Sequence, residues 1–185
     1  MKKIILIFTL LIFLSGFSFA QDKFFTRTGK ISFFSETSVE DIEAVNRSVS
    51  SILNVENGDI AVSAQMKGFE FEKALMEEHF NENYVESDKY PKATFKGKIL
   101  NFDRSKFKPD EEYKVDVVGD LSLHGETNNI ATKATLKFLD DKILANTSFE
   151  VDVNAYKIKI PKAVIDNIAN TISVKVDLSL EPYSK

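Results

Sequence analysis

His79 and His124 are the two histidines of this chain, and no cysteine accompanies them. A catalytic zinc site draws three protein ligands from His, Cys or carboxylate. His79 with Glu78 or Glu82 supplies part of such a set, but HFNEN lacks the HExxH spacing. His79 is therefore read as a residue that caps a helix face or hydrogen-bonds within a pocket. His124 follows a strand and precedes Gly125, where it reads as bonding backbone in a turn. No GxSxG elbow marks a nucleophilic serine. Gly58, Gly68, Gly97, Gly119 and Gly125 stand singly, so no glycine-rich loop cradles phosphate. Asp140-Asp141 and Glu111-Glu112 fall at turns, where paired carboxylates are solvated. The expectation is a protein without catalytic residues, bound metal or cofactor. The enzymatic alternative is a hydrolase or isomerase that uses His79 with a nearby carboxylate.

The charge balance excludes a further class. Acidic residues outnumber basic ones by 28 to 24 and the two signs are interspersed, which disfavours binding to a phosphate backbone. At the N-terminus, Lys2 and Lys3 precede an apolar run from Ile4 to Leu14, interrupted only by Thr9. Ser18-Phe19-Ala20 then offers small residues at the −3 and −1 positions of a cleavage site. The run is shorter than the roughly 20 residues a spanning helix needs. Residues 1–20 are thus expected to be a cleaved signal peptide and 21–185 a single exported domain, placed in the periplasm of a Gram-negative bacterium. No stable membrane insertion is expected after cleavage. Without cysteine, such a domain relies on its core rather than on disulfides. Twelve of the sixteen phenylalanines lie in that domain, with five tyrosines and no tryptophan, and make its core rich in Phe.

The elements that position these residues are strands. Ile172, Val174, Val176, Leu178 and Leu180 alternate with polar residues without a break, which puts all five on one sheet face. Similar series run through Ile143–Val153, Tyr113–Leu123, Ile60–Met66 and Thr132–Phe138, with further strands at Gly29–Phe34, Ser48–Leu53 and Thr94–Phe102. Asn57-Gly58-Asp59, Asp140-Asp141-Lys142 and Lys108-Pro109-Asp110 punctuate them. Two segments carry helical spacing instead: Glu72–Asn83, through Leu75, Met76, His79, Phe80 and Asn83, and Pro161–Asn170. Val39, Ile42 and Val45 suggest a helical turn within Ser38–Asn46.

About eight long antiparallel strands with one apolar face favour an all-β fold, an extended up-and-down barrel whose ends are closed by one or two short helices. A barrel of that size either fills itself with side chains or encloses one small ligand. An apolar pocket would be lined by Met66, Phe69, Phe71, Leu75, Met76, Phe95, Tyr156 and Ile158. The inward faces of two central strands would add Val115, Val117, Phe149 and Val151.

Four segments carry a resemblance to one protein family. In HFNENYVESDKYPKATFKGKI, Tyr90-Pro91 and Thr94-Phe95 match the family's turn into a strand. In GDLSLHGETNNI, Gly119, Leu121, His124, Gly125 and Thr127 match a G-x-L-x-x-H-G-x-T pattern. FEVDVNAYKIKIP and TISVKVDLSL complete the likeness, so that the whole chain after the leader resembles the YceI-like family of exported, lipocalin-like β-barrel proteins. Glu126 stands where a hydrophobic residue is common, and ETSVEDIEAVNRSVSSILN is divergent. The resemblance implies a carrier for a long amphiphile, such as a polyisoprenoid, an isoprenoid quinone or a fatty-acid derivative, held in the barrel. His79 and Tyr90 are then the candidates for head-group contacts. The alternative is a filled barrel serving as a non-enzymatic interaction or structural module. A homodimer is left open as its state of assembly.

Overall fold

The computed structural model describes residues 22–183; the expected signal peptide lies outside them. The alternating segments form strands β1 (Lys23–Glu36), β2 (Asp41–Asn54), β3 (Asp59–Gln65), β4 (Glu70–Phe71), β5 (Lys92–Ile99), β6 (Glu112–Leu123), β7 (Glu126–Phe138), β8 (Ile143–Asp152) and β9 (Thr171–Pro182). Their order is β1-β9-β8-β7-β6-β5-β3-β2, and antiparallel pairing of β1 with β2 closes the ring. The result is an eight-stranded up-and-down barrel. Closure leaves no edge strand in the ring to pair with another chain. β4 lies outside it, bonded to β2 through Ala44↔Phe71 and Val45↔Glu70.

The expected helical turn at Ser38–Asn46 is not formed: it opens β2. Thr37 Oγ1 accepts from the backbone N–H of Val39 and Glu40 at 3.2 and 3.0 Å, which turns the chain straight back into the strand. Pairing with β1 over Asp41–Asn46 outweighs a threefold spacing only three residues deep. The Glu72–Asn83 segment does coil, as α1 (Ala74–His79) followed by a π turn over Phe80–Tyr84. The Pro161–Asn170 segment forms no α-helix. It makes 3-10 turns over Lys162–Asn167, broken at Val164, where φ is −127°. A segment this short gains too few backbone bonds to offset helix nucleation.

Topology gathers four connections at one end, called the mouth: the β1–β2 hairpin, the 66–91 segment with α1, the two-residue β6–β7 turn, and the 153–170 segment. The opposite end is filled. Leu53, Leu136, Phe138, Ile143 and Leu180 are almost wholly buried there. Phe107 stacks on Phe138 with ring centroids 4.8 Å apart, meets Tyr113 edge-on at 4.8 Å, and packs against Phe102. The Arg104 guanidinium covers the Phe138 ring at 4.3 Å.

Besides the register shifts of β1 around Gly29, two further places depart from a regular ring. β7 and β8 pair only from Ala134↔Thr147 to Phe138↔Ile143. Toward the mouth, side chains bridge the seam instead: Thr147 donates to the Lys133 carbonyl, Thr132 to that of Ser148, and Asn128 to that of Ala155. In β2, Asn46 is fully buried where the partner strand changes from β3 to β4. Its Nδ2 donates to the Gln65 carbonyl at 2.8 Å, and its Oδ1 accepts from Ser48 N–H at 2.8 Å. Asn46→Ala strips partners from two backbone groups at once. It is expected to lower stability by about 2–4 kcal/mol, read by urea denaturation. A loss below about 0.5 kcal/mol would mean that these bonds carry no weight.

Candidate functional site: an apolar lumen open at the mouth

Between the filled end and the mouth lies a cavity of about 520 Å³, in the range of pockets that hold one small ligand. The strands build it by directing every second side chain inward. β3 supplies Ile60, Val62 and Ala64; β5 supplies Ala93 and Phe95; β6 supplies Val117 and Leu121; β9 supplies Ile172, Val174 and Val176. Over this end, Phe33, Phe69, Phe71 and Phe80 pack together with ring centroids 5.1–5.7 Å apart. Such tilted and edge-on contacts join β1, the 66–71 segment and the π turn into one apolar wall.

Of the residues expected at the pocket, Met66, Phe69, Phe71, Leu75, Met76, His79, Phe95, Val117, Phe149, Val151 and Ile158 line this cavity. Leu75 does so from the rim, with 61% of its surface exposed. Three others stand elsewhere. Val115 points inward but packs in the filled half. Tyr156 is buried in a 3-10 turn (Val153–Tyr156) beside the lumen. Tyr90 lies edge-on against the His124 ring, 4.7 Å between centroids. The reading from sequence missed Ile31 and Phe33 of β1 and Ile42 of the divergent 36–54 stretch, and also Ile172 and Val174. The unbroken alternation of β9 could have found the last two.

Polar groups cluster at the mouth. Lys73 Nζ lies 2.7 Å from Glu40 Oε1, and Asn167 Nδ2 donates to Glu40 Oε2 at 3.2 Å. Glu40 therefore ties the β1–β2 hairpin to the segment before α1 and to the 162–167 turns. Hydrogen bonding from Lys73 and then from Asn167 holds the Glu40 carboxyl below the usual carboxylate range. The same bond from Glu40 raises Lys73. His79 and Tyr84 also face the cavity, and burial pushes the Tyr84 phenol upward. Among the described residues, no three His, Asp or Glu side chains come together where they could hold a metal ion.

His124 lies behind the lumen wall. It forms the β6–β7 turn with Gly125; both have positive φ, 52° and 80°, as a two-residue type I′ turn requires. Its Nδ1 is 2.9 Å from the Tyr156 carbonyl and its Nε2 is 2.8 Å from Glu86 Oε2. The Tyr156 carbonyl only accepts, so Nδ1 donates to it, and Nε2 shares a hydrogen bond with the Glu86 carboxyl group. One side chain thus fastens three mouth segments. The His124 hydrogen bond, as the largest cause, holds the Glu86 carboxyl below its ordinary value. A depressed carboxylate adds stability above its unfolded-state value and loses it as pH falls through the folded one. The stability gap between the native chain and Glu86→Gln should therefore shrink as pH falls below the ordinary carboxylate range, about pH 4.5. Thermal unfolding of both proteins across that range checks this; a gap independent of pH would refute it.

A model of the YceI-like domain matches residues 15–180, and the chain belongs to that family. Among curated proteins, none matches the sequence. Solved structures share the fold, among them the following three. A polyisoprenoid binding domain from Saccharophagus degradans, implicated in plant cell wall breakdown, is 16% identical with a TM-score of 0.76, over 89% of this chain and 100% of that one. BcnA of Burkholderia cenocepacia is 14% identical with a TM-score of 0.69, over 82% and 95% of the two chains. The YceI protein of Campylobacter jejuni is 14% identical with a TM-score of 0.61, over 75% and 84%.

Proposed function

We propose that this chain is a carrier that holds the tail of a long amphiphile in its lumen and leaves the head group at the mouth. The carrying observation is the cavity itself: apolar side chains line its depth, and Glu40, Lys73, His79 and Asn167 cluster at its open end. Moving each methylene from water into such a space contributes about 0.8 kcal/mol, so a tail needs few polar contacts to be held. If one carbon takes up the ~30 Å³ share of a water molecule, 520 Å³ holds a tail of roughly seventeen carbons. That suits one fatty-acyl chain or a prenyl chain of three to four units; a longer polyisoprenoid would leave its remainder outside. The likeness to the Saccharophagus degradans domain, a polyisoprenoid binder, supports an isoprenoid among the candidates. Export to the periplasm after cleavage behind Ala20 is part of the proposal, resting on the leader-like composition of residues 1–20.

The test is native mass spectrometry of the full chain expressed in a Gram-negative host and released by osmotic shock without detergent. A protein beginning at Gln21 and carrying one apolar molecule is expected. Empty protein that also fails to take up a fluorescent prenyl probe would overturn the carrier reading. A chain retained in the cytoplasm would overturn the compartment.

A further inference from the structure

Phe95 occupies an unusual place in the lumen wall. In the β5–β6 ladder Gly97 faces Gly119, with Phe95↔Leu121 on the mouth side and Ile99↔Val117 on the other. All six positions belong to the inward-facing set of their strands. A Cβ at Gly97 would lie 2.4 Å from Phe95 Cζ, and one at Gly119 would lie 2.7 Å from the same atom. The phenyl ring therefore lies flat along the wall, in a recess that exists because two facing residues have no side chain.

The recess sits at the barrel's waist. Phe95 packs against the buried cluster of the mouth half and also against that of the filled half. Beyond it the cavity continues, reaching Ile99, Val117, Leu136 and Leu178. A ring standing off the wall at this height would project into the lumen and separate those residues from the mouth. We propose that Phe95, stowed on Gly97 and Gly119, sets how far a ligand tail penetrates and so determines the chain length this protein prefers. The inference rests on the carrier reading above and adds a specificity-determining residue to it.

The test uses straight-chain fatty acids of about 10 to about 20 carbons, whose affinity should rise roughly fourfold per methylene until the tail reaches the lumen floor and then level off. Glycine substitutions are unsuitable, because a Cβ at Gly97 would also meet the Val118 carbonyl at 2.5 Å and could prevent folding. Phe95→Trp places a ring too large for the recess. Its levelling point should move several carbons shorter, with at least tenfold weaker binding of the longest acids and a smaller loss for the shortest. Phe95→Ala frees the recess and should move the point about three carbons longer, at roughly 30 Å³ per carbon. Either variant suffices should the other not fold.

The chain has no tryptophan, so the indole introduced by Phe95→Trp is a sole reporter. Its fluorescence should be quenched by bromine at the middle of an acyl tail and not by bromine beside the carboxyl group. Levelling points that coincide in the native chain and both variants, with binding retained, would overturn the role of Phe95 and leave the carrier standing. Failure of the native chain to bind any of these acids or a prenyl probe would overturn both.

Discussion

Ala93→Phe should weaken binding of a long-chain amphiphile by about a hundredfold while leaving the fold as stable as before or more so. Ala93 lines the cavity from β5, opposite Ala64 of β3, where the walls near the mouth are thin. The added ring enters space that a tail would fill. Displacing about three or four ligand carbons, at about 0.8 kcal/mol each, gives two orders of magnitude. The empty protein gains apolar contact in the same space, so its stability moves in the opposite direction to its affinity. Isothermal titration with palmitate or farnesol, beside urea denaturation of the unliganded protein, separates the two. Unchanged affinity would show that the tail does not occupy this half of the lumen. A collapse of stability would show that the space at Ala93 is not free.

Phe138→Ala should have its largest effect on stability. Phe138 is buried at the filled end, against the Phe107 ring and the Arg104 guanidinium, with Leu53, Leu136, Ile143 and Leu180 in the same cluster. Truncating a packed phenylalanine costs about 3–5 kcal/mol, through lost burial and the cavity left behind. For a domain of this length that corresponds to a fall in Tm of about 10 °C. Ligand affinity of the folded fraction should change little, because Phe138 does not line the cavity. Calorimetric unfolding and titration below the new midpoint check both halves. A loss under about 1 kcal/mol would mean that the aromatic stack merely covers the end rather than supporting it.

These two variants mark a division that sequence pattern alone does not reveal. The inward series Tyr113, Val115, Val117, Gly119, Leu121 is legible as one face of a strand, and β6 has that face inward. Yet Val117 lines the lumen and Val115 packs in the filled half. The difference is height along the barrel axis, which a period of two does not encode. The segment Ser38–Asn46 failed for a related reason. Its local spacing was compatible with a turn of helix, and only its pairing with distant residues of the β1 strand makes it β2. His124 was correctly placed in a turn by its Gly125 neighbour. Its partner Glu86 comes from a different segment, 38 residues away, and no local signal points to it.

The sequence by itself determined that this is a β-barrel of long antiparallel strands, with a coiled insertion between β3 and β5. Alternation and turn residues are local properties and survive in the fold. The H-G turn and its flanking strands also carried the family. The tertiary structure alone decided that the barrel is filled at one end and hollow toward the other. That outcome depends on which side chains meet across the lumen from strands far apart in the chain. Where Leu53, Phe138, Ile143 and Leu180 converge, their volumes close the space. Where Ala64, Ala93, Gly97 and Gly119 come round to the same side, the wall is thin and room for a tail is left.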